Sequence, residues 1–214
     1  MDSRRAEAFS DGVFAVAITV LVFGLLDIGS GALTAGVLLH AWPHYFAYVV
    51  SFLTIGIMWM NHHTILGHVS RVDRPLLVLN LLLLMGIVAI PFPTQLVAGH
   101  LRGSGGTAAT VTYGLVMIAI SAGFDAIWVY VVTHAPSLGA AVPQGALRRS
   151  IPGFTLGGAV YVAATLIAAF WSPLAALIIF GLLAVYYLFE HLPGPADGEA
   201  EEQDRGQGGG PGAG

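Results

Sequence analysis

The sequence predicts an all-α membrane protein with six transmembrane helices, and three observations carry that prediction. The 214 residues are 56% hydrophobic and 9% charged, with a mean hydropathy of +0.79, where an ordinary soluble domain carries about 25% charged residues. Six apolar stretches are each long enough to cross the hydrocarbon core, which takes about 20 helical residues. With six spans, Arg4, Arg5, Arg71, Arg74, Arg148, Arg149 and Arg205 all fall on one side of the bilayer and only Arg102 on the other. The positive-inside rule then places both termini in the cytoplasm of a multi-pass plasma-membrane protein.

The spans run approximately from Glu7 to Ile28, Pro43 to Leu66, Leu76 to Ala98, Ala108 to His134, Ile151 to Phe170 and Leu174 to Leu192. Turn chemistry separates them: Gly29-Ser30-Gly31, Arg71 to Pro75, Gly103 to Gly106, Pro136 to Gly145, and Ser172-Pro173. Ala32 to His40 reads as a short interfacial helix before Pro43, which suits the first turn of the second span. Residues 1–192 thus form one membrane domain. The Gly- and acid-rich remainder, 193–214, buries too little apolar surface to fold and reads as a disordered cytoplasmic tail. Ser3-Arg4-Arg5 before an apolar run faintly resembles a twin-arginine signal, but Glu7 and Asp11 interrupt it and five more spans follow.

Several function classes fall away. A net charge of -4 argues against nucleic acid, the more so as Glu199, Glu201, Glu202 and Asp204 gather in the tail. The chain has no cysteine, hence no disulfide, thiolate chemistry or Cys-based zinc site. Asn61-His62-His63 invites a metal, yet adjacent histidines on a helix point roughly 100° apart and no H-E-x-x-H spacing occurs. One histidine is expected in a buried hydrogen-bond network and the other at the interface. No nucleophile elbow or phosphate loop is present, so nothing points to an enzyme or a cofactor. Thr155-Leu156-Gly157-Gly158 superficially resembles a carbonyl filter, but it lies inside an apolar run where small residues more often permit close helix packing. No helix carries the repeated arginines of a voltage sensor.

The first span is more informative. At about 100° per residue, Gly12, Val16, Thr19, Val20 and Phe23 share one stripe, and Asp11 lies roughly 140° from Val16, nearly opposite. An acid in a span needs protein, water or a partner around it. If the stripe lines something, Asp11 faces its own bundle, where Trp59, Asn61, His62, His63 and Asn80 are candidate donors. The plainer alternative makes Ser10 or Asp11 an N-cap and the apolar stripe ordinary helix packing.

Arg5-x-x-x-Phe9-Ser10-Asp11, followed by Gly-Val-Phe-Ala-Val-Ala-Ile-Thr, resembles the R-x-x-x-F-S-D signature of the prokaryotic transmembrane protein 175 potassium channels. Trp42-Pro43, Ser51-Phe52, Ile55-Gly56, Trp59, His62-His63, Asn80-Leu81 and Pro91-Phe92-Pro93-Thr94 continue the match over about the first hundred residues. The resemblance implies a homotetramer of six-span subunits in the lipid bilayer, its first helices around a central pore that conducts monovalent cations without a carbonyl filter. It places the constrictions on Val16, Val20 and Phe23 and a hydroxyl on Thr19, so that potassium, the permeant species, passes Val16 and Thr19. Phe23 departs from the family pattern, and Val16 does so conservatively. Such a ring of apolar side chains penalises tightly hydrated ions by dewetting, which implies a leak-like, weakly selective potassium channel. Asp11 would accept hydrogen bonds from Trp59, His62, His63 and Asn80, and Arg5 would clamp a neighbouring backbone or acid. The alternative is a proton-coupled secondary transporter using Asp11 and His63, although no inverted repeat or paired broken helices are visible. A membrane enzyme with a histidine-bound metal is a third reading.

Overall fold

The computed structural model describes residues 3–26, 28, 34–140 and 144–190, with backbone alone for 144–156 and 189–190. Among them every regular element is helical. α1 spans Ser3–Val20 and continues as a 3₁₀ segment, Leu21–Leu25. α2 (Ala35–His40) starts where the Thr34 hydroxyl accepts the Val37 amide at 3.3 Å, which fixes the short interfacial helix. Pro43 sits in the first turn of α3 (Trp42–Gly67), where its missing N–H costs nothing.

Asp73 caps α4 (Arg74–Ala89) by accepting the Leu76 amide at 3.0 Å. The third apolar stretch is not one uninterrupted helix. It breaks at Ile90, because Pro91 and Pro93 cannot donate to the preceding turn, and resumes as α5 (Pro91–His100). α6 (Gly106–Thr133) leads into the single turn α7 (Ala135–Leu138), closed by Gly139 at φ 62°, a left-handed position that glycine occupies without a Cβ penalty. α8 (Gln144–Phe170) and α9 (Pro173–Glu190) are the last of the described elements. Four helical stretches, Ser3–Leu25, Trp42–Gly67, Arg74–His100 and Gly106–Thr133, are long and apolar enough to cross a membrane. Two shorter apolar helices, Gly157–Phe170 and Pro173–Leu188, follow. Residues 193–214, read above as a disordered tail, lie outside the described residues, as do the side chains of Arg148, Arg149 and Arg205.

The core lies between α3, α4, α6, α8 and α9, around Ile55, Ile87, Met117, Tyr113 and Phe180. α6 and α8 form its tightest seam. Gly114 faces Thr165 so closely that an added Cβ would overlap the threonine side chain. Gly157 and Gly158 let α8 approach Tyr187 and Ser121, each hydroxyl 2.9 Å from where a Cβ would stand. The Gly157-Gly158 pair thus serves helix packing. α1 packs chiefly against α3 and α4, on the margin of this bundle.

Candidate functional site

α1 buries Ser3, Ala6, Ser10, Phe14 and Ala17. Each step is three or four residues, which selects one helix face. The opposite face is bare: Phe9 is 56% exposed and Val16 57%, and Arg5, Gly12 and Thr19 are exposed beside them. Val20 is half-buried on the edge of this face. α1 therefore has an anchored side and an unpartnered side, and the predicted pore residues lie on the second.

Two side-chain systems hold the anchored side. The first is a ladder between α1 and the antiparallel α3: His63 Nδ1 meets Glu7 Oε1 at 2.7 Å, and one turn further the Trp59 indole donates to Asp11 Oδ1 at 2.8 Å. Steps of four residues in opposite directions keep the two rungs in register on antiparallel helices. The second system is buried. Asn80 Nδ2 on α4 donates to Ser10 Oγ at 3.0 Å, Asn80 Oδ1 faces His62 Nε2 at 2.7 Å, and the Ser10 hydroxyl donates to the Ala6 carbonyl at 2.8 Å. Asn80 Oδ1 accepts only if His62 carries its proton on Nε2. The Phe14 ring covers the His62 ring, centroids 5.3 Å apart.

This geometry corrects the role expected of Asp11. Of the four expected donors only Trp59 reaches it; His63 turns to Glu7, Asn80 donates to Ser10 and His62 pairs with Asn80. Ser10 and Asp11 differ by about 100° around the helix, so one enters the bundle and the other lies at its edge. Neither is an N-cap, since the helix runs unbroken from Ser3. Arg5 is exposed and forms no hydrogen bond or ion pair among the described residues. The split between His62, buried, and His63, with a 60% exposed side chain, follows the angular offset of adjacent helical residues.

On the bare face, Thr19 Oγ1 donates to the Val16 carbonyl at 2.9 Å. Its proton is thereby occupied within the helix, leaving the oxygen lone pairs to face outward, the orientation that suits a cation. Phe23 is 58% exposed but lies on the 3₁₀ segment. A 3₁₀ helix turns about 120° per residue against about 100° in an α-helix, so Phe23 is displaced about 60° from its α-helical projection. Phe23 then projects about 40° from Val16, in the direction of Val20, on the same exposed face.

Sequence patterning missed one polar cluster. Ser51 Oγ on α3 lies 2.8 Å from Thr94 Oγ1 on α5 and 3.2 Å from Tyr113 OH on α6, all buried, bracing the break at Pro91. Single hydroxyls in apolar runs gave no periodic signal, although Ser51 and Thr94 belong to the motif matched above. At the arginine-rich end, Asp73 also accepts the Tyr130 hydroxyl at 2.6 Å. Slight desolvation pushes the Asp73 carboxyl up, but the Tyr130 hydroxyl, the Leu76 amide and nearby His134 outweigh it and hold it below the usual carboxylate range. Among the described residues no three His, Asp or Glu side chains converge as metal ligands would.

Residues 5–91 match the family model described as endosomal/lysosomal potassium channel TMEM175. A Streptomyces collinus protein named a potassium channel is 44% identical over 200 residues, covering 91% of this chain and 95% of that protein. The chain belongs to the TMEM175 family. A second potassium channel by name, from Chamaesiphon minutus, is 34% identical over 194 residues, covering 87% of this chain and 93% of its own length. The crystal structure of a lysosomal potassium-selective channel TMEM175 homolog from Chamaesiphon minutus superposes with a TM-score of 0.79 at 31% identity, over 88% of this chain and 97% of that one. These TMEM175 relatives are ion channels and not enzymes.

Proposed function

We propose that the chain is a potassium channel of the plasma membrane, a homotetramer of six-span subunits with both termini cytoplasmic. The bare face of α1 surrounds the ion path. One observation carries this reading: a helix held on one side by two hydrogen-bonded systems leaves Val16 57% exposed on the other, with the Thr19 oxygen turned outward one turn away. Four copies of that face form an apolar ring at Val16 with hydroxyl oxygens above it. The ring narrows and dewets the path, and the Thr19 oxygens replace part of the water that potassium loses. Selectivity from one hydroxyl layer is modest, hence a leak-like, weakly selective conductance. Val20 flanks the ring, and the network at Ser10, Asp11, Trp59, His62, His63 and Asn80 positions the helix without touching the ion.

Purified chain in liposomes loaded with potassium tests this. The expected result is passive efflux that follows the electrochemical gradient, in proteoliposomes and not in empty vesicles. Flux only in exchange for protons would instead favour the coupled transporter built on Asp11 and His63, and absence of flux would refute the channel.

A further inference from the structure

Residues 68–73 join two apolar spans, Trp42–Gly67 and Arg74–His100, and so lie at the boundary between hydrocarbon and water. The loop is pinned. The Ser70 and Arg71 amides both donate to the Leu138 carbonyl at 3.1 Å, and the Ser70 hydroxyl donates to the Gly139 carbonyl at 3.1 Å. Val69 and Val72 are buried beneath it, while Arg71 and Arg74 are exposed. In Arg71-Val72-Asp73-Arg74 the acid stands between two arginines, yet it does not serve them. One carboxylate oxygen accepts the Leu76 amide at 3.0 Å and the other the Tyr130 hydroxyl at 2.6 Å. Glu7 and Asp11 are likewise taken, by His63 and Trp59. Neither guanidinium forms a hydrogen bond or an ion pair among the described residues. Arg74 moreover opens α4, the helix end that disfavours a cation. The positive-inside rule calls for arginines on this side, but not for a pinned loop or a diverted acid.

We infer that Arg71 and Arg74 hold the headgroup of an anionic phospholipid, whose acyl chain lies along α4. Two observations point to a lipid. The arginine Cα atoms are at most about 11 Å apart, so two long side chains can bracket one phosphate, whose oxygens match the guanidinium fork. Above Arg74, Val78, Leu81, Met85 and Val88 are all exposed, and at 100° per residue each lies within about 40° of Arg74 around the helix. A cationic foot under an apolar track has the polarity of a phospholipid, whereas a soluble phosphate would leave the track bare. The inference rests on the membrane placement proposed above and not on which helix lines the ion path.

Native mass spectrometry tests this on the purified full chain, given an equal mixture of phosphatidylglycerol and phosphatidylcholine with matched acyl chains. The expected result is preferential retention of phosphatidylglycerol, reduced about fivefold in Arg71→Gln or Arg74→Gln and about twenty-five-fold in the double variant. Both side chains are exposed, so these variants fold as the parent does. Arg102→Gln removes the same charge at the opposite end and leaves the preference intact. Tyr130→Phe frees one Asp73 oxygen to turn toward the arginines and lowers the preference by less than the double variant does. Equal retention of the two lipids by the parent chain, an unmoved preference in the double variant, or an equal loss in Arg102→Gln overturns the site. Displacement of phosphatidylglycerol by millimolar glycerol phosphate would assign the arginines to a soluble anion and overturn the lipid. Retention is read without current, so a chain that conducts nothing would refute the channel and not this site.

Discussion

α6 and α1 are both long apolar helices carrying glycine on a helical face, yet the chain treats them in opposite ways. At Gly114 on α6 the neighbouring helix comes so near that no methyl fits, whereas a Cβ on Gly12 of α1 meets nothing within 4 Å. Of the apolar stretch Ser3–Leu25 22% is buried, against 39% for α6 and 50% for α3, so α1 has the fewest contacts within the chain of these three. The difference separates small residues that serve packing within the chain from small residues that, on the proposed reading, are left for assembly. On the proposed tetramer it also accounts for the edge-on anchor: a helix placed at a shared axis would be fastened from one side only.

The sharpest way to break the comparison is Gly114→Ala. Overpacking the α6–α8 seam should cost about 1–3 kcal/mol, while Gly12→Ala should stay within about 0.5 kcal/mol in the isolated subunit. Thermal unfolding in detergent compares the two, and equal losses would mean that the α1 face is packed after all. The anchor itself comes next. Asn80→Ala strands His62 Nε2 in a buried site, about 1–3 kcal/mol, whereas Asp11→Ala frees a Trp59 indole that is 42% exposed and can find water or headgroups, about 1 kcal/mol or less. The ranking Asn80 above Asp11 in the same assay supports two separate systems; the reverse would restore Asp11 as the hub.

Much of this was legible in the sequence. The bare and buried faces of α1 followed from helical periodicity, because an eighteen-residue straight α-helix obeys the 100° rule. The separation of His62 from His63 followed for the same reason. What sequence arithmetic could not provide was pairing across helices: that Glu7 rather than Asp11 meets His63 depends on the register of α1 against α3, which no local pattern encodes. The 3₁₀ segment was illegible too, since Leu-Val-Phe-Gly-Leu suits either winding and the segment packs against α3 and α5, which no local pattern encodes.

The smallest effect belongs to the scaffold's arginine-rich end. Because the folded Asp73 carboxyl is held below its ordinary range, its contribution is present above the unfolded value and is lost as pH falls through the folded one. The group is largely solvated, so screening limits this to at most about 1 kcal/mol. Asp73→Asn keeps an acceptor for the Leu76 amide and should flatten that part of the stability profile on acid titration. An unchanged acid slope would assign it to other carboxylates.

The central claim, that the bare face of α1 is the ion path, is tested most directly by one pair of substitutions read in planar bilayers. Val16 lies on that face and is 57% exposed, whereas Val13 is partly buried and packs against the core. A dewetted ring responds to polarity, so Val16→Asn should raise the current and move the bi-ionic potassium/sodium reversal potential toward zero, and Val13→Asn should do neither. A Val16→Asn channel indistinguishable from wild type, with Val13→Asn conducting more, would contradict the account and put the ion path on another face of the helix.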